Sequence, residues 1–302
     1  MNPRAPVAIP QLPHPDADHY RIDGSERPMP RTTSVIDRTL GKPFLSRWAG
    51  RLERDTILAE LAVVLAEEIE PARARAIVAR LRKRLPADPF CEVEKNTAGA
   101  FGTATHALVE AHLRARLGNQ LAPEPAPAST EPQVERAARL AVEWFDAVEF
   151  EPDPRGIEIR LWSADENLWS AGTADAFGTA HLGRMIAHSR WNRPAADPAT
   201  TDQRVPVLVD LKTSKSIGVA HKIQTAAYVA YLLEQGRIEA PCHTCILRVA
   251  RHENDPRPTE ALLIHPDEFL RYGGAFRFLR RIYNFVTQEE VLERQHWRAR
   301  GG

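Results

Sequence analysis

The chain has only three cysteines in 302 residues, Cys91, Cys242 and Cys245, too few to staple a fold of this length with disulfides. It also lacks net charge, because 40 Lys and Arg balance 40 Asp and Glu. A bulk attraction to nucleic acid is thereby excluded, and an anionic partner would have to meet locally concentrated positive charge. No run approaches the roughly 18 consecutive apolar residues of a membrane span. The N-terminal stretch MNPRAPVAIPQLPHPDADHY has no apolar core of signal-peptide length. The expectation is a cytoplasmic protein with no membrane contact. What the chain does have is a hydrophobic fraction of 43%, enough to bury a substantial core.

Residues 1–30 are punctuated by proline and read as an extended or disordered segment. Residues 31–98 read as a helical N-terminal region, with Ile57, Leu58, Leu61, Val64 and Leu65 at helical spacing. Its later part, from Ala72 to Leu85, holds Arg73, Arg75, Arg80, Arg82, Lys83 and Arg84 and no acid. From residue 99 to 285 the pattern alternates. Helices are predicted over 103–117, 133–145, 220–233 and 267–285, the last with Asp267 as cap or first-turn acid. Strands are predicted over 157–162, 168–179, 205–212, 245–249 and 261–264. Residues 286–302 read as a C-terminal tail. This order of short strands and crossover helices predicts an α/β fold, a central mixed sheet flanked by helices.

Four short patterns carry chemistry. In Val207-Leu208-Val209-Asp210-Leu211-Lys212, strand alternation puts Asp210 and Lys212 on one face. A carboxylate there can hold a hard divalent cation, and an ammonium beside it can orient water or neutralise a phosphate. Gly172-Thr173-Ala174-Asp175, on the preceding strand, would add a second carboxylate. Gly102 to His106 opens a helix on which Glu110 follows one turn later on the same face, a candidate to support His106 from behind. Gln224 and Tyr228, also one turn apart, share a side of the helix after the Asp210 strand. Taken singly, each is ordinary: a solvated ion pair, a turn aspartate, a structural histidine, a half-buried tyrosine.

Together, in this order and on these elements, the four patterns resemble the RecB-like branch of the PD-(D/E)XK nuclease superfamily. That branch has G-x-x-x-H on a helix, G-x-x-D and (D/E)-x-K on strands, then Q-x-x-x-Y on a helix. The run from Thr33-Ser34-Val35-Ile36 through Lys42-Pro43 to Trp48-Ala49 is similar to the start of phage-type exonucleases of this branch. The resemblance implies a restriction-endonuclease-like core. It further implies Asp175, Asp210, the Leu211 carbonyl and His106 as ligands of Mg²⁺ or Mn²⁺. Lys212 would position and activate water, and Gln224 and Tyr228 would orient the site or the strand. Asp210 stands where many relatives have Glu.

The implied activity is phosphodiester hydrolysis from DNA ends, in recombination, repair or phage DNA processing. DNA is the implied partner, and a recombination or annealing protein is a further one that the resemblance admits. A structure-specific or restriction-like endonuclease, and a non-catalytic DNA-binding module retaining the fold, stay open as alternatives. Some relatives hold an iron–sulfur cluster on four cysteines. This chain has one fewer, which argues against a cluster. Glu158, which opens a strand, is with Glu110 a weaker candidate for the site and otherwise simply exposed, and Trp162 and Trp169 read as hairpin core. The Arg73–Arg84 run and Arg271, Arg277, Arg280 and Arg281 read as candidate phosphate contacts.

Overall fold

Residues 205–211 are apolar but for Asp210, residues 245–249 are apolar but for Arg248, and the two segments become neighbouring parallel strands in the middle of a sheet. Burial on both faces of a central strand calls for apolar side chains in succession. The computed structural model describes residues 19–20, 28–40, 50–57, 59, 76, 90–118, 131–191 and 201–299.

The elements are β1 (His19–Tyr20), β2 (Met29–Pro30), α1 (Thr32–Leu40), α2 (Phe90–Arg116), α3 (Pro132–Ala147), β3 (Glu151–Ser163) and β4 (Ser170–His181). They continue with α4 (Leu182–Ala187), β5 (Arg190–Trp191), β6 (Arg204–Lys212), α5 (Val219–Glu234), β7 (His243–Val249), β8 (Thr259–Ile264) and α6 (Phe269–Ala299). The main sheet is mixed, in the order β3-β4-β6-β7-β8-β5; only β6–β7 and β5–β8 are parallel pairs. Residues 192–200, in the predicted loop before β6, and the Arg73–Arg84 cations lie outside the described residues.

The chain divides into two compact units. One is Gly41–Ala104, where residues 50–57 and the first turns of α2 are helical. The other joins Met1–Leu40 to Thr105–Gly302 and carries the whole sheet. In it, α5 is buried without interruption from Ile223 to Leu232, so it has no polar face to give to water. Leu208 and Ile246 from the sheet, Val35 and Ile36 from α1, and Tyr272, Phe276, Leu279 and Tyr283 from α6 share a core with it. On β6 and β7 the alternate residues Val207, Val209, Leu211, Cys245, Leu247 and Val249 are buried too, and α3 lies along β7. The start of α1 is fixed by a buried polar link: Thr32 Oγ1 donates to the Ala171 carbonyl at 3.0 Å and lies 3.0 Å from the Tyr231 hydroxyl.

Three expectations need correction. Helix α2 begins at Phe90 rather than Thr103, because Gly99 and Gly102 only weaken a helix and do not end it. Helix α6 runs past Phe285 through the expected tail, since no Gly or Pro occurs between 286 and 300 to stop it. Its approach is capped by His265, whose ring accepts the Asp267 N–H at 3.2 Å. Arg280 is no phosphate contact: it is 2% exposed and donates to the Trp169 carbonyl at 2.7 Å. Trp162 and Trp169 pack against a small cluster of Tyr20, Met29 and Ala171. Among the described residues no helix is long and apolar enough to cross a membrane.

Candidate active site

The sheet forks between β4 and β6. Their pairing runs from His181↔Arg204 to Ala176↔Val209. Beyond that point β4 stays with β3 as far as Ser170, and β6 stays with β7 as far as Lys212↔Arg248. The parting leaves β6 backbone groups at the fork without a strand partner, and a buried N–H must find another acceptor. Asp175 supplies it. Its Oδ2 accepts the Leu211 N–H at 2.6 Å, and its Oδ1 lies 2.7 Å from His106 Nδ1. One carboxylate therefore fixes the strand end and the α2 imidazole together. In a strand the N–H and C=O of a residue leave by the same edge, so the Leu211 carbonyl also belongs to the fork.

Asp210 and Lys212 flank Leu211. Lys212 Nζ lies 2.6 Å from Asp210 Oδ2, and the Asp210 side chain is 1% exposed. The contact pairs the charges but falls outside hydrogen-bonding geometry, and this buried oxygen has no aligned donor among the described residues. Burial opposes the Lys212 ammonium, but Asp210 and Asp175 outweigh it and raise its pKa, so the amine keeps its proton. Burial, then Asp175, pushes the Asp210 carboxyl up against the pull of Lys212. Asp175 goes the other way: burial is overcome by His106, Lys212 and the Leu211 N–H, which hold it below the ordinary carboxylate range. Burial likewise opposes the His106 imidazolium, and Asp175 more than offsets it.

Glu158 joins them. The register Ile157↔Ala176 and Ile159↔Ala174 sets it opposite Asp175. Ligand atoms of His106, Glu158 and Asp175 all lie within 4.8 Å of one another. Far from being an exposed strand opening, Glu158 sits inside β3 at φ 48°, a left-handed conformation that costs a non-glycine residue about 1 kcal/mol or more. Burial, then Asp175 and Glu110, pushes its carboxyl up to about 8. Glu110, one turn beyond His106, is bonded to Arg114 at 2.8 Å and acts on the cluster through its charge. His106 and Glu110 lie beside the buried stripe of Thr105, Val109 and Leu113, which orients this end of α2.

On α5, Gln224 Nε2 donates to the Tyr228 hydroxyl at 2.9 Å, and both side chains are buried. Burial, then the Asp210 charge, holds the Tyr228 phenol far above its usual range. The ring explains Gly172: a Cβ there would come within 2.6 Å of Tyr228 Cε1 and 2.7 Å of its hydroxyl. The glycine of the Gly172–Asp175 pattern thus admits the tyrosine of the Gln224–Tyr228 pattern.

The structure brings His106, Asp175, Leu211, Asp210, Lys212, Gln224 and Tyr228 into one region and adds Glu158. Sequence reasoning ranks Glu158 only as a weaker candidate because the signal lies in the hairpin register. It also missed Arg248, whose side chain is 2% exposed; it donates to the Ser214 carbonyl at 2.7 Å, the Arg257 carbonyl at 2.7 Å and Asp255. Cys242 and Cys245 are buried, and burial raises both thiols, Cys242 to about 12. No known protein family and no curated relative matches the chain.

Proposed function

We propose that the protein is a metal-dependent DNA nuclease with a restriction-endonuclease-like core, its reaction centred on the fork between β4 and β6. The observation that carries this reading is Asp175, which joins the Leu211 backbone and His106 next to the buried Asp210–Lys212 pair. The donor set suits a hard cation: three carboxylates, a backbone carbonyl and one imidazole, with a buried Asp210 oxygen lacking an aligned donor. His106, Asp175, Asp210 and the Leu211 carbonyl would hold Mg²⁺ or Mn²⁺, with Glu158 as a further ligand. Such a cation supplies Lewis acidity toward the phosphate oxygens and lowers the pKa of water.

The chain's own groups do the rest. Lys212 stays an ammonium, so it orients and neutralises rather than abstracting a proton. Asp175 sets the imidazole and the strand end at one distance. Gln224 and Tyr228, bonded to each other, set the wall beside Asp210.

The test is cleavage of end-labelled linear duplex, single-stranded and covalently closed DNA in EDTA, Mg²⁺ or Mn²⁺. Metal-dependent release of nucleotides from linear DNA, lost in Lys212→Ala and Asp210→Asn, is the expected result. Cleavage of closed circles would identify an endonuclease instead. Cleavage that survives both substitutions would remove the site assigned to it, and DNA binding without cleavage would favour a binding module.

A further inference from the structure

Helix α6 is apolar on two sides. Tyr272, Phe276, Leu279 and Tyr283 point into the core. Phe278, Phe285 and Leu292, seven residues apart, form a second stripe at 63%, 63% and 46% exposure. Apolar residues seven apart, two turns, fall on one line of a helix surface and make a narrow stripe that a second helix can cover. The core gives no reason for it. From Val291 to Trp297 every described side chain is exposed, Val291, Leu292 and Trp297 among them. Two turns of helix that leave these groups in water have no packing of their own to hold them.

The charges beside the stripe identify what covers it. Counting from Phe285, Arg281 and Arg277 stand four and eight residues before it, and Glu289 and Glu293 four and eight after. All four are exposed. Phe278 and Leu292 stand seven before and seven after. Reversing the helix about Phe285 therefore sets apolar residues level with apolar ones along the axis, and basic residues level with acidic ones, Arg281 and Glu289 nearest the seam. That is the self-complementarity a twofold interface requires. Arg281 is meanwhile steadied by Asn167 Oδ1 at 3.2 Å. At 1.5 Å per residue the 31 residues of α6 run about 46 Å, long enough for such a pairing.

We propose that α6 pairs antiparallel with α6 of a second copy of this chain, Phe285 against Phe285 on the twofold axis. The pairing assigns Arg281 and Arg277 to an interface between copies, whatever the reaction at the fork.

Sedimentation of the full chain over a range of concentrations tests this, with helicity and melting temperature checked for each variant. The wild type should form a dimer, and Phe285→Glu should be monomeric, with the melting temperature of the core unchanged and at most the helicity of the last turns of α6 lost. Arg281→Glu and Glu289→Arg should each weaken dimerisation at least tenfold, and the double variant should restore it by exchanging the charges. A wild type that stays monomeric at high concentration overturns the proposal. So does a dimer indifferent to Phe285→Glu, or a double variant no better than the singles. Loss of DNA affinity in Arg281→Glu, with no change in association state, would overturn it in favour of a nucleic-acid surface.

Discussion

Glu158→Gln should stabilise the metal-free protein, and by an amount that grows with pH. The Glu158 carboxyl is pushed up to about 8 by burial, Asp175 and Glu110, against an ordinary value of 4.5. The sign follows from where the proton sits. Below 4.5 both folded and unfolded states hold it, and the group costs nothing. Between 4.5 and 8 the unfolded chain releases the proton while the folded protein retains it, so stability falls as pH rises through this window. Each pH unit costs about 1.36 kcal/mol for an isolated group, or about 5 kcal/mol in all. Asp175 and His106 share the charge of the cluster, and we take about half, roughly 2 kcal/mol, as the difference read at pH 8. For a folded unit of this size that is about 4–8 °C in melting temperature. Thermal unfolding in EDTA from pH 5 to 8.5 measures it: wild type and variant should coincide near pH 5 and diverge toward pH 8. A cation that replaces the proton should stabilise the wild type more at pH 8 than at pH 6, the whole stabilisation being about 2.7 kcal/mol at a hundredfold excess over Kd. Parallel pH profiles of wild type and variant in EDTA would refute the reasoning, because they would mean that Glu158 titrates normally in the fold.

Three further outcomes are expected. Gly172→Ala should cost about 1–3 kcal/mol in urea unfolding, because its Cβ meets the Tyr228 ring, and clearly less in a Tyr228→Ala background. Arg248→Met should cost about 2–4 kcal/mol by leaving the Ser214 and Arg257 carbonyls without their donor; hydrogen exchange should rise first at residues 213–218, with cleavage losing kcat more than KM. DNA affinity measured in Ca²⁺ should exceed that in EDTA for the wild type, and the gap should narrow in Glu158→Gln and Asp210→Asn; an equal gap in all three would separate the acidic cluster from DNA binding.

Much of the sheet was legible because its signals are local. The run from Val205 to Leu211 can bury both faces only as a central strand, and the Asp210–Lys212 spacing follows from strand alternation whatever surrounds it. Helix ends were less legible. Nothing local distinguishes an exposed helix from a tail when no Gly or Pro intervenes, and α6 beyond Phe285 is such a stretch. At the site, a local periodicity suggested that Gln224 and Tyr228 share one side of α5, and their 2.9 Å hydrogen bond has that geometry. Glu158 was ranked only as a weaker candidate because its neighbours come from the pairing of β3 with β4, and its left-handed backbone breaks the alternation on which strand reading depends. Arg280 and Arg248 look like surface cations in the sequence. Only tertiary packing supplies the carbonyls that let a guanidinium be buried.

The charge balance of the fork explains why its parts belong together. Arg114 pairs with Glu110 and Lys212 with Asp210, which leaves Asp175 and Glu158 facing one imidazole. Two carboxylates and one imidazole cannot all settle their charges without water. Asp175 takes His106 and the Leu211 N–H, and Glu158 is left holding a proton against its ordinary tendency. A phosphodiester brought to such a cluster would add a negative charge to a region whose cations are already paired with its carboxylates. Under the proposed function a divalent cation has to be in place before the phosphate can approach, since it balances the second carboxylate and then the phosphate with the same charge. Lys212 alone cannot take that part, because its ammonium is shared with Asp210 at 2.6 Å. Because the cations at the fork are already paired, binding of a DNA phosphate there would, under the proposed function, be conditional on metal.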